Sequence, residues 1–95
     1  MTQPGNKILY HQLVVKCDIP SLSAVISKRI KLSIEQRLVV KPELYGIPLR
    51  GTLKRYWKLR VGDWRVVYSI KNKIVYILVI AHRREVYDIA DRRLG

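Results

Sequence analysis

The sequence predicts an α+β fold: a small twisted antiparallel β-sheet of about four strands, packed by a long N-terminal helix, with a short C-terminal helix (β-α-β-β-β-α). Three observations carry this. Residues 56–61 and 64–71 alternate apolar or β-branched side chains with polar ones, the period of a half-buried strand. Gly62-Asp63 and Asn72-Lys73 separate consecutive runs, where two-residue hairpin loops need residues that tolerate positive φ. Leu22, Val25, Ile26, Ile30, Ile34 and Leu38 recur at i, i+3 and i+4, the buried stripe of one helix.

Residues 7–16, KILYHQLVVK, read as the first strand, with Ile8, Tyr10, Gln12 and Val14 on one face and Leu9, His11, Leu13 and Val15 on the other. His11 is isolated and reads as structural or solvent-exposed. Asp18 is placed to cap the following helix, with Pro20 in its first turn. Ser33 and Gln36 have capping-box spacing, but the unbroken apolar ladder favours one long helix to about Val40, ended by Lys41-Pro42. Residues 41–53 hold two prolines and two glycines and read as a loop crossing to the sheet. After the strands, Val86, Ile89, Ala90 and Leu94 form the stripe of a last helix. Glu85 suits its first turn, and Asp88 and Asp91 are expected to pair locally with Arg92 or Arg84.

Two-residue turns fix the register by counting. Val61 faces Trp64, Arg60 faces Arg65 and Lys58 faces Val67; across the second turn, Lys71 faces Ile74 and Arg65 faces Ile80. One face then carries Tyr56, Lys58, Arg60, Arg65 and His82. The other carries Trp57, Leu59, Val61, Trp64, Val66, Tyr68, Ile70, Val75, Ile77 and Val79, and reads as core.

Composition bounds the function. Ninety-five residues, 48% hydrophobic, suit one domain over residues 1–95 with a modest core. The longest apolar stretch, 74–81, has strand length, so no membrane span is expected. The MTQPGNK start lacks the apolar region of a signal peptide, which favours the cytoplasm. The lone Cys17 ends an apolar run and reads as packing. One cysteine, two distant histidines and no carboxylate cluster give no metal site and no cofactor, and there is no Gly-rich phosphate loop. Nineteen Lys and Arg against seven acids leave a net charge of +12, which on so small a domain implies a polyanion or an acidic protein partner. The basic residues lie on strands rather than along one amphipathic helix, which disfavours a membrane surface. The candidate site is therefore cationic: Lys54, Arg55, Lys58, Arg60, Arg65, His82, Arg83 and Arg84, with Tyr56 and Tyr87 as stacking rings. Its bland counterpart is a solvated basic face or a non-specific RNA surface.

Three stretches carry a family resemblance: PLRG at 48–51, YWKLRVGDWRVVY at 56–68 and HRREVY at 82–87. Together they resemble the RelE branch of the RelE/ParE toxin superfamily, closely over roughly residues 42–90 and more loosely before. The resemblance implies a small sheet with a helical layer and a toxin of a type II toxin–antitoxin system. RelE-like toxins enter the ribosomal A site and cleave the bound mRNA, and a cognate antitoxin neutralises them. The implied partners are thus an antitoxin and mRNA on the ribosome with its ribosomal RNA; DNA is contacted only through the antitoxin complex.

By position, Lys58 and Arg65 match basic residues of the family's active site, and Tyr87 its C-terminal tyrosine. Arg83 matches the arginine after the last strand, with Arg84 or His82 as alternatives in that register. Tyr56 stands where some relatives have lysine, and Lys54 is expected to compensate. Lys54, Arg60, His82 and Arg84 complete the RNA-binding set. The implied chemistry is metal-independent: the ribose 2′-OH attacks phosphorus while Lys58, Arg65 and Arg83 stabilise the charge that builds. Tyr87 stacks on a base or delivers a proton; a phenol is in general a poor base at neutral pH. His82, on the Arg65 face in this register, offers imidazole acid–base chemistry or serves only as a strand-end histidine. A ParE-like gyrase inhibitor, or an inactive member that binds only RNA or antitoxin, are the alternatives.

Overall fold

The computed structural model describes residues 5–95; the first four residues of the MTQPGNK start lie outside it. Strand β1 (Lys7–Tyr10) is followed by a helical segment, wound as π-helix over Val14–Asp18 and as 3-10 helix over Ile19–Ser21. Leu22 is extended, and Ser23 then caps helix α1 (Ala24–Ser33), its hydroxyl accepting from the Ile26 N–H at 3.2 Å. A π-wound turn, Ile34–Leu38, continues α1. Helix α2 (Pro42–Tyr45), the two-residue strand β2 (Ile47–Pro48) and a 3-10 turn (Gly51–Leu53) lead into β3 (Trp57–Val61), β4 (Trp64–Lys71) and β5 (Ile74–His82). Helix α3 (Val86–Leu94) ends the chain.

The sheet has five strands rather than about four, in the order β1-β5-β4-β3-β2, and the β1–β5 pair is parallel. Two hairpins set the middle of it. Gly62 has φ 61°, and Asn72 and Lys73 have φ 51° and 63°, as two-residue turns require. The expected pairs Val61–Trp64, Arg60–Arg65, Lys58–Val67 and Lys71–Ile74 all form.

Four expectations are corrected. The first strand stops at Tyr10, not at residue 16, because the chain turns at His11. The Val14 N–H bonds the His11 carbonyl, and the His11 ring accepts from the Leu13 N–H. A short apolar run such as LVV cannot be told from a helical segment by periodicity alone, and Leu13 and Val15 end up exposed. Asp18 caps nothing: it is buried, accepts from the Ile80 N–H at 2.9 Å and pairs with Arg93. Cys17, expected in the packing, is exposed, as is Val25 of the helical stripe.

The fourth correction matters most for function. The β4–β5 ladder shifts register between Val67 and Tyr68, so Ile77 faces Tyr68 while Val79 faces Val67. Leu78 is the extra residue, and it reverses the side-chain parity of everything after it. Arg65 therefore faces Ala81 rather than Ile80, and His82 faces Trp64.

The result is a sheet with a core on each face. Leu59, Val66, Tyr68, Val75, Ile77 and Ile80 meet Ile30, Ile34 and Leu38 on the α1 side. Val67, Val79 and Ala81 meet Val86 and Ala90 of α3 on the other, with Leu49 and Leu53 beside them. Helix α3 covers only part of that second face, and Arg60, toward the β3–β4 turn, remains exposed.

Candidate active site on the second face of the sheet

Lys58 is the centre. Its backbone pairs with Ile47 on one side and Val67 on the other, so its side chain rises from the second face beside the first turn of α3. There Lys58 Nζ donates to Tyr87 Oη at 2.5 Å and stands 5.1 Å from the centroid of the tyrosine ring. Tyr87 is 44% exposed. The ammonium takes up one lone pair of the phenol oxygen, which leaves the phenolic hydrogen to point outward.

Two grooves flank the pair. One, of about 340 Å³, runs between Tyr87, Lys58 and the 47–53 loop, and Arg50 lines it. The other, of about 480 Å³, follows β3 beyond Lys58, where β2 has ended and β3 has no strand neighbour on that side. Arg60, Arg65, Arg37, Tyr45 and Ile47 line it. No carboxylate lines either groove.

Arg65 is held rather than loose. Its Nη1 donates to the Gly62 and Trp64 carbonyls at 2.8 and 2.9 Å, so the guanidinium is fixed against the hairpin turn with Nε and Nη2 left for another acceptor. No acid pairs with it among the described residues, where the ion pairs are Arg83–Asp63 and Arg93–Asp18. Asp88 and Asp91 make no ion pair there either; Arg92 donates instead to the Asp88 backbone carbonyl.

The structure separates the remaining candidates from this centre. Arg83 sits at the β3–β4 turn, its N–H on the Asp63 carbonyl and its side chain 3.9 Å from the Asp63 carboxylate; it lines neither groove. His82 is on the opposite face from Arg65, edge-on to Trp64 with ring centroids 5.5 Å apart. Its Nδ1 accepts from the Arg84 N–H at 3.2 Å, so the expected acid–base position beside Arg65 is not where this ring stands. Arg84 and Lys54 are exposed and line neither groove. Tyr56 packs into the second core. Arg50, inside the PLRG stretch, lines the groove beside Lys58 and Tyr87, where Lys54 does not. Arg37 and Tyr45 were missed altogether, since the end of α1 and the one-turn helix α2 carry no chemical motif in the sequence. Among the described residues no group of three His, Cys, Asp or Glu side chains is placed to hold a metal ion, and no helix is long and apolar enough to cross a membrane.

Solved structures share this fold. The toxin–antitoxin complex RelBE2 of Mycobacterium tuberculosis matches with a TM-score of 0.78 and 24% identity over 86% of this chain and 95% of that one. The RelB–RelE antitoxin–toxin complex of Methanococcus jannaschii matches with 0.67 and 26%, covering 85% and 96%. A mutant of the Escherichia coli toxin RelE in the free state matches with 0.70 and 20%, covering 96% and 99%. No relative is found among curated protein sequences. The family model described as the ParE toxin of type II toxin–antitoxin systems matches residues 18–87. With that match spanning well over half of the sequence, the chain belongs to the ParE toxin family of type II toxin–antitoxin systems.

Proposed function

We propose that this toxin is a metal-independent endoribonuclease that cleaves mRNA in the ribosomal A site, working in the cytoplasm as one domain over residues 1–95. The observation that carries the reading is the Lys58–Tyr87 pair, set between two grooves that gather Arg50, Arg60 and Arg65 without a single carboxylate. Such a field suits a phosphodiester and repels nothing on it.

In the reaction, the 2′-oxygen of a ribose forms a bond to the adjacent phosphorus and the bond from phosphorus to the 5′-oxygen breaks. The products are a 2′,3′-cyclic phosphate and a 5′-hydroxyl. Lys58 and the fixed guanidinium of Arg65 stabilise the charge on the phosphoryl oxygens. Tyr87, whose oxygen already accepts from Lys58, gives its proton to the leaving 5′-oxygen and takes one back from solvent. The grooves present no carboxylate or imidazole, so the 2′-OH proton passes to solvent. Positioning by the ribosome supplies the rest of the rate enhancement.

The test is mRNA cleavage on programmed ribosomes with wild type, Arg65→Ala and Tyr87→Phe, beside the same RNA without ribosomes. Cut A-site codons, with most of the rate lost in both variants, support the reading; intact RNA overturns it. A gyrase-inhibiting toxin is the second reading, favoured by the ParE description of the matching family; loss of DNA supercoiling by gyrase with RNA left intact selects it. In either case a cognate antitoxin is the expected protein partner, supported by the antitoxin-bound state of the M. jannaschii relative. An acidic segment suits the basic face.

A further inference from the structure

The groove along the free edge of β3 holds a feature that phosphate chemistry alone does not use. Tyr45 is 47% exposed at its wall, and the Arg37 guanidinium carbon stands over its ring, 5.9 Å from the centroid. Ile47, 57% exposed, lies beside it. Lys58, Arg60 and Arg65 line the same groove.

This wall is built to stay in place. Tyr68 rises from the core and its Oη donates to the Pro42 carbonyl at 2.6 Å, which fixes the start of α2. Gly46 has no side chain, and a Cβ there would run into that same hydroxyl, so the chain passes directly over Tyr68. The Leu44 and Tyr45 N–H groups both bond the Lys41 carbonyl. Tyr45 is thus a half-exposed ring on a pinned corner, backed by the Arg37 cation in a groove that Lys58, Arg60 and Arg65 also line, a combination that fits a base with its phosphates.

We propose that Tyr45 is a stacking platform for a nucleobase of single-stranded RNA, on the far side of Lys58 from Tyr87, with Arg37 backing the ring and Arg60 and Arg65 taking the phosphates. This rests on the nuclease reading and extends it: the substrate strand is gripped on both sides of the phosphate at Lys58.

The test is binding, kept apart from cleavage. Short single-stranded RNA with 2′-O-methyl riboses, which cannot be cut by 2′-OH attack, is titrated at low ionic strength into wild type, Tyr45→Ala and Tyr45→Phe, followed by fluorescence anisotropy. A parallel series carries one abasic nucleotide, moved along the strand. Tyr45→Ala weakens binding roughly 5- to 150-fold, the range for losing one base–aromatic stack, and Tyr45→Phe restores it. One abasic position costs wild type a comparable factor and costs Tyr45→Ala little. Equal abasic penalties in both proteins, or no loss on Tyr45→Ala, overturn the platform while ribosome-dependent cleavage by wild type still upholds the nuclease. RNA that does not bind wild type at all also overturns the platform, and cleavage on ribosomes is again scored separately. Thermal melts of both variants, expected to match wild type, exclude unfolding as the cause.

Discussion

The two ends of α3 are held in opposite ways. At its last turn, Arg93 forks onto both oxygens of Asp18 at 2.8 and 3.1 Å and also donates to the Leu78 carbonyl at 3.0 Å, with side chains only 11% and 7% exposed. At its first turn, Tyr87 overhangs Lys58, nearly half exposed, with a single polar partner. The difference reflects what each end touches. Beyond Ile77, β5 has no neighbour on the β1 side, and the Ile80 N–H and Leu78 carbonyl there are taken up by Asp18 and Arg93 in place of a strand. The clamp completes the sheet, and the helix it holds presents Tyr87 to solvent.

The largest expected effect comes from breaking the clamp. Asp18→Ala leaves the Arg93 charge buried and unpaired and the Ile80 N–H without an acceptor, and is expected to cost about 3–5 kcal/mol in urea unfolding. An apolar pair, Asp18→Leu with Arg93→Met, recovers only part of this, because the two β5 backbone groups stay unsatisfied. A loss below about 1 kcal/mol for Asp18→Ala would mean that α3 is held by Val86 and Ala90 alone.

The other end carries the opposite signature. Arg65→Ala and Lys58→Met are expected to lower the cleavage rate on ribosomes by roughly 10²- to 10³-fold, as for loss of a preorganised donor to a developing oxyanion. Their unfolding free energies in urea stay within about 0.5 kcal/mol of wild type. Parallel losses of stability and rate in these variants would erase the distinction between the two ends.

The sequence told these regions apart unevenly. Both hairpins were legible because Gly62, Asn72 and Lys73 sit where positive φ is required, and a two-residue loop then dictates the pairing as far as Lys58–Val67. The bulge at Leu78 was not, since ILVIA reads the same with or without an extra residue; all that it changes is which face each side chain takes. That one insertion moved His82 to the Trp64 side and Val79 into the second core. Asp18 looked like a cap because cap residues are recognised locally, while its partner lies 75 positions away. The sheet residues of the candidate site, Lys58, Arg60 and Arg65, share a face by strand parity alone. Tyr45 and Arg37 come from the short helix α2 and the π-wound end of α1, outside the sheet, where strand parity gives no guide.

A third experiment compares two tyrosines. Burial, and then Glu43, push the Tyr68 hydroxyl well above its ordinary value of 10.0. The folded state therefore holds this proton more tightly than the unfolded chain does. The stability that follows is fully present below pH 10 and is lost as pH climbs toward the folded-state value. Unfolding free energy of wild type should fall above pH 10, more steeply than that of Tyr68→Phe. At neutral pH Tyr68→Phe is itself about 1–3 kcal/mol less stable, since the buried Pro42 carbonyl loses its donor. Tyr87→Phe, on the exposed end, changes neutral-pH stability by less than about 0.5 kcal/mol.

The smallest effect concerns Arg83. Its partner Asp63 is 3.9 Å away, and the two side chains are 53% and 71% exposed, so the pair stabilises the fold by no more than about 1 kcal/mol. If Arg83 served the reaction from where it stands, Arg83→Ala would match Arg65→Ala in lost rate; from its place outside both grooves we expect a few-fold loss at most. Asp63→Ala sharpens the point, because it frees the guanidinium and removes the acid nearest to it. A rise in cleavage rate in Asp63→Ala that disappears in the double variant with Arg83→Ala would show that Asp63 restrains an arginine able to reach the RNA. Unchanged rates in all three variants would limit Arg83 to the hairpin turn and leave Lys58, Arg65 and Tyr87 as the working set.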